Sequence, residues 1–193
     1  MGDIYSVCPT FENTSYLLHF ATKNDSKDLL DVYSDKNALP FFNSDNCHGD
    51  NFYYHTQEKM DAVIDFWHDS YKEKWFVRWA IIDKTSSKAI GTIELFHRIA
   101  DDDFNHVGVL RLDLRSDYEN ATAINEILSI IVPPAFGLFE CDEIISKVPL
   151  YAIERAQAFS DYGFQQSDRL LIGSNDHYAY KDYWTKKLGE VHD

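Results

Sequence analysis

The sequence predicts a mixed α/β chain rather than a doubly wound parallel sheet, and three features carry that prediction. Residues 76–82 (FVRWAII) and 89–96 (AIGTIELF) are strand-like runs flanking the polar turn 83–88, which reads as a β-hairpin. From Val107 to Phe164 the chain reads as a strand (VGVLRLDLR), a polar turn (SDYEN), an apolar helix (ATAINEILSII), a second strand (EIISKV) and a second helix closing on Gly163-Phe164. Over the whole chain the predicted elements run β α α β β β α β α β β.

The elements follow in order. Residues 1–14 read as a loose lead-in, and 16–20 (YLLHF) as a short strand. Lys23-Asn24-Asp25-Ser26 offers a cap for a helix over 27–33, whose apolar side is Leu29, Leu30 and Val32. Pro40 ends that region, and 41–54 (FFNSDNCHGDNFYY) is an aromatic loop rich in turn formers. Thr56-Gln57-Glu58 opens a helix through about Ser70, with Met60, Val63, Ile64 and Trp67 at helical spacing. After the hairpin, 100–105 (ADDDFN) is a turn into the strand 107–114. Pro133-Pro134 predicts a bend in the helix that follows Asn120, because proline removes an intrahelical hydrogen bond. The last helix begins at Tyr151 or Ala152 and is capped by Gly163. Two further strands are predicted, over 169–173 and 178–184.

The 193 residues suit one domain, spanning 1–193, with a proper core. A net charge of −14 disfavours nucleic acid and anionic membranes as partners; a cationic partner would suit it, and acidity also serves solubility. Cys8, Cys47 and Cys141 form no CxxC pair and read as reduced thiols of a cytoplasmic protein. No uninterrupted apolar run reaches the ~18 residues of a membrane span, and the first residues lack a secretory pattern. His48, Cys47 and His55 lack ligand spacing, so no metal is expected.

Three passages carry a family resemblance: the hairpin WAIIDKTSSKAIGTIEL, the strand–loop–helix LDLRSDYENATAINEIL, and the helix ERAQAFSDYGF with its Gly-Phe ending. In this order, over 16–184, the chain resembles the GNAT superfamily of acyl-CoA N-acyltransferases, and within it the branch that acetylates ribosomal-protein N-termini. The resemblance implies a mostly antiparallel central sheet flanked by helices. It implies acetyl-CoA as co-substrate and direct attack by a primary amine of a small molecule or peptide, in a monomer or homodimer. In that family a glycine-rich loop binds the coenzyme pyrophosphate through backbone N–H groups. Its places fall here on Glu119, Thr122 and Ile124, none with the family residue. The implied coenzyme-binding residues are therefore backbone donors at Asn120, Ala121, Thr122 and Ala123, with Arg115 adding charge and Leu114 supplying the N–H that polarises the acyl carbonyl.

Asp113 and Glu94 are the candidate bases for removing the ammonium proton, and Tyr151 is the candidate donor to the leaving thiolate, since Phe159 stands where the family has a proton donor. The same residues have plainer readings: solvent-facing strand positions for Asp113 and Glu94, a core tyrosine for Tyr151, and dipole or capping partners for Asp117, Glu119 and Asn120. Phe41, Phe42 and Tyr53 are candidate substrate contacts, and could equally anchor their loop. The alternative to an enzyme is a GNAT-fold binding or regulatory module that has lost coenzyme binding.

Overall fold

The computed structural model of the chain describes residues 3–189. Its frame is an eight-stranded sheet, ordered β1-β2-β3-β4-β5-β6-β10-β7. The strands are β1 (Phe11–Glu12), β2 (Tyr16–Phe20), β3 (Val77–Asp83), β4 (Lys88–Arg98), β5 (Val107–Leu114), β6 (Glu143–Lys147), β7 (Gln165–Gln166) and β10 (Tyr183–Lys187). Every neighbouring pair is antiparallel except β5 and β6. A two-stranded ribbon of β8 (Leu171–Ile172) and β9 (Ala179–Tyr180) stands apart.

Four helices cover the sheet: α1 (Ser26–Tyr33), α2 (Gln57–Lys72), α3 (Ala121–Leu138) and α4 (Ile153–Asp161). Alternation along the central strands sorts them onto two faces. Trp79 and Ile81 of β3, Ile93 and Leu95 of β4, and Leu110, Leu112 and Leu114 of β5 pack with α3 and α4 in the larger core. On the opposite face Ala80 and Ala89 pack with α1 and α2 through Leu29, Tyr33, Met60, Ile64 and Trp67. α3 is the one described helix long and apolar enough to cross a membrane, yet Ile124, Ile127, Leu128 and Ile131 lie wholly buried in the core.

Two small features have direct causes. Gly91 of β4 lies opposite Leu114 of β5, and a Cβ there would sit 2.2 Å from the Asp113 carbonyl oxygen. The glycine of Ile-Gly-Thr is therefore a condition of the close β4–β5 approach. Gly163 ends α4 with φ +90°, the left-handed cap that glycine adopts without steric cost.

Three expectations are corrected. The lead-in is not loose: Phe11 and Glu12 pair with β2, Ile4 is buried, and the Trp79 indole N–H donates to the Pro9 carbonyl at 2.8 Å. The predicted strand 178–184 divides in two, since Asp182 has a left-handed φ of +69°; β10 then runs on to Lys187 in the main sheet. The short strand β7 was absent from the prediction.

Candidate functional site

β5 and β6 pair over only three positions, from Gly108↔Ile144 to Leu110↔Ser146. β5 then continues four residues alone on that side, so the two strands part near Leu112 and Leu114. The N-terminus of α3 lies just past this parting, after a 3₁₀ turn over Ser116–Tyr118. Such a helix start gathers unpaired N–H groups and the positive end of the dipole.

The chain's own acceptors occupy most of that mouth. The Asn120 side chain caps α3, accepting from the Ala123 N–H at 3.0 Å, and the Asn120 N–H donates to the Tyr118 carbonyl. The Ala121 N–H donates to the Glu154 carboxylate, across from the first turn of α4, at 2.9 Å. Among the described residues only the Thr122 N–H in this group lacks a hydrogen-bond partner. Three of the four backbone donors expected to form a cradle, those of Asn120, Ala121 and Ala123, are thus engaged within the chain, the Ala121 N–H by the Glu154 carboxylate. Arg115 is likewise committed, holding both carboxylate oxygens of Asp117 at 2.7 and 2.9 Å. Leu114 is fully buried in the core. Glu119 is neutralised by Arg155 of α4, whose Nε and Nη2 lie 2.6 and 2.8 Å from its oxygens; the Arg155 side chain is 1% exposed.

The segment after α1 crosses the parted strands. Asp45 accepts from Lys147 of β6 through both carboxylate oxygens, while its carbonyl accepts from Arg111 of β5 at 3.0 Å. Phe41 lies edge-on to Tyr151, and its carbonyl accepts from Arg155 at 3.3 Å. Tyr151 is 61% exposed and donates its hydroxyl to the Pro40 carbonyl, so it is a surface strut rather than a core residue.

Asp113 and Glu94 are not solvent-facing. They are 1% and 2% exposed and share Arg78 of β3. Arg78 pairs with Glu94, and its Nη1 reaches Tyr33, Thr92 and Asp113 at 3.0, 2.9 and 3.2 Å. Arg111 holds the other Glu94 oxygen at 3.0 Å. Burial alone would lift Glu94, but the Arg78 and Arg111 guanidiniums outweigh it and keep the carboxylate below its usual range. Burial dominates at Asp113 and raises it, with Arg78 and the Tyr33 hydroxyl offsetting only part. The Oδ1 of Asp113 is buried without a partner.

A cleft of about 500 Å³ opens beneath α2, with Arg78, Arg111 and Glu94 on its floor. Its aromatic wall is Phe52, Tyr54, Phe66, Trp67, Trp75 and Phe76. Phe41, Phe42 and Tyr53 lie outside that lining: Phe41 joins the larger core, Phe42 is buried against Tyr33, and Tyr53 stacks edge-on with His55. Arg78, Arg111 and Trp75 escaped the sequence reading, although arginines inside the apolar runs FVRWAII and VLRLDL signal buried charge that must be paired. Among the described residues no group of three or more His, Cys, Asp or Glu side chains is placed to hold a metal ion.

No protein-family model and no curated protein matches the chain. Solved structures do. A GNAT-family acetyltransferase from Bacillus anthracis superposes with a TM-score of 0.66 at 11% identity, over 93% of this chain and 98% of the other. The chain has the GNAT acetyltransferase fold. The ribosomal-protein-S5-alanine acetyltransferase from Vibrio fischeri gives 0.65 at 17% identity, over 96% and 100%. A GCN5-related N-acetyltransferase from Brucella melitensis gives 0.64 at 14%, over 93% and 78%.

Proposed function

We propose that the chain is a GNAT-type N-acyltransferase, moving an acetyl group from acetyl-CoA to a primary amine, and that the structure represents a closed form of it. The observation that carries the reading is the Glu154 carboxylate on the Ala121 N–H: the α3 mouth still binds an anionic group, and that group is an exposed side chain able to rotate away. The GNAT fold over nearly the whole chain supports the reaction class. The amine, once deprotonated, attacks the thioester carbonyl; the N–C bond forms, the C–S bond breaks, and the thiolate leaves to take up a proton. In this reading Asp113, whose Oδ1 has no partner, receives the ammonium proton through water, and Tyr151 gives a proton to the leaving thiolate.

A second reading, a GNAT-fold binding module without catalysis, is favoured by one specific observation. Closure is double: Glu154 takes the anion place while the buried Arg155–Glu119 pair and Phe41 fill the ground beside it. Calorimetry with acetyl-CoA, paired with thiol release in the presence of polyamines, aminoglycosides and N-terminal peptides, separates the two. Saturable binding with thiol release upholds the transferase. Absence of binding at about millimolar cofactor, corresponding to roughly −4 kcal/mol, leaves the module reading.

A further inference from the structure

The cleft beneath α2 borders the parted strands. Arg111, on its floor, is the first residue of β5 past the last β6 pair, Leu110↔Ser146. What the cleft selects can be read from its charges and its wall. The charges on its floor are spent on one another. Both Glu94 oxygens are held by Arg78 and Arg111, Arg78 also meets Asp113 at 3.2 Å, and Arg111 gives its Nη2 to the Asp45 carbonyl at 3.0 Å. Asp50, higher on the lining, accepts from the Phe52 N–H at 2.8 Å and the Tyr54 hydroxyl at 3.0 Å, one on each carboxylate oxygen.

Half of the aromatic wall is spent in the same way. Lys59 lies over the Tyr54 ring at 5.5 Å, and the Arg78 guanidinium over Trp67 and Phe76 at 4.5 and 5.8 Å. Those ring faces would otherwise attract an alkylammonium, and they already carry the chain's own cations. A charged guest of either sign thus loses its hydration and finds its counter-charges already matched. An uncharged guest escapes that cost.

The rest of the wall asks for a ring. Phe66 and Trp75 are 54% and 59% exposed at the cleft, with Trp67 deeper at 5%. Trp75 is set there by the end of α2: Lys74 turns at a left-handed φ of +61°, and the Trp75 N–H donates to the Ser70 carbonyl at 2.9 Å. Phe52 is held at φ +61° as well, a conformation that bulky residues avoid. A volume of about 500 Å³ suits a small molecule whose ring packs against aromatic neighbours. Acyl transfer adds one requirement, a primary amine. An arylamine meets all three, because its nitrogen shares its lone pair with the ring and is uncharged at neutral pH.

We infer, resting on the acyltransferase reading, that the acceptor is a primary arylamine, its ring among Phe52, Phe66, Trp67 and Trp75 and its nitrogen toward the parted strands. The neutral nitrogen attacks the thioester carbonyl of acetyl-CoA; the N–C bond forms, the C–S bond breaks, and the N–H proton shed after attack ends on the thiolate. The test sets 4-ethylaniline against its isomer 2-phenylethylamine, which has the same atoms but is an ammonium at neutral pH, and against spermidine. Calorimetry on the full chain reads binding without coenzyme, and thiol release from acetyl-CoA reads transfer. 4-Ethylaniline is expected to bind saturably, at least about tenfold more tightly than its isomer, and to lead by a similar factor in kcat/KM. Trp75→Ala, at a mostly exposed position, should keep its circular dichroism and weaken 4-ethylaniline about fivefold. No binding of 4-ethylaniline up to about 10 mM, unchanged affinity in Trp75→Ala, or equal or better turnover of 2-phenylethylamine or spermidine overturns the inference. Thiol release with those two amines and not with 4-ethylaniline does so while upholding the transferase. Thiol release with no amine removes both.

Discussion

Arg78 shows how one residue ties the sheet to its covering helices. It reaches Glu94 on β4, Asp113 on β5 and Tyr33 on α1, at 4% exposure, so its charge has no recourse to water. Removing one member of such a cluster strands the others. Arg78→Met is expected to cost about 3–5 kcal/mol, read as a lower urea midpoint, because Glu94 and Asp113 are left buried without their shared cation. Asp113→Asn is expected to cost about 1 kcal/mol or less, since burial already disfavours the charged form and the amide oxygen can still accept from Tyr33. A loss in Asp113→Asn as large as in Arg78→Met would mean that Asp113 is a full ionic partner. The two carboxylates also differ in what is left open: both Glu94 oxygens are held by arginines, whereas Asp113 keeps one oxygen unused.

At the scale of elements, the decisive contact joins two helices end to end in space. Glu154, in the first turn of α4, lies on the first N–H of α3, and the negative charge there takes the favourable dipole position that a phosphate would otherwise claim. Glu154→Gln keeps the shape and removes the charge. It is expected to tighten acetyl-CoA or inorganic diphosphate binding by roughly fivefold to tenfold, about 1 kcal/mol, measured by calorimetry; unchanged affinity would place the phosphates away from this mouth. None of this contact was legible in the sequence. Local signals were: the strand over 107–114 has the bounds that its apolar run predicted, Thr56 caps α2, and the cap at Gly163 stands where a left-handed residue is needed. The site depends instead on pairs 33 to 114 residues apart, Ala121 with Glu154, Glu119 with Arg155 and Phe41 with Arg155, and no periodicity or spacing rule reaches that far. The loop aromatics illustrate the same limit. Their abundance was visible, but which of them face the cleft was fixed by left-handed φ values at Asn46, His48 and Phe52, two of which have no glycine or asparagine to announce them.

For the molecule as a whole, charge is the property that local contacts do not cancel. The chain carries −14, and around the α3 mouth the arginines are already matched: Arg115 with Asp117, Arg155 with Glu119, leaving Glu154 in excess. A coenzyme with several phosphate groups therefore approaches a surface that repels it at long range. Most phosphate-binding proteins lose affinity as salt rises, because their cations are screened. Here the sign reverses. Raising NaCl from about 20 to about 200 mM shortens the Debye length from roughly 20 to roughly 7 Å, which screens the repulsion while leaving contacts at hydrogen-bond range nearly intact. The apparent affinity for acetyl-CoA is thus expected to rise severalfold across that range, chiefly through a faster association rate. The Glu154→Gln chain should show a shallower slope, since one of the repelling charges is gone. An affinity that falls with salt would mean that a basic patch away from the α3 mouth governs the encounter, and the coenzyme would have to be placed there.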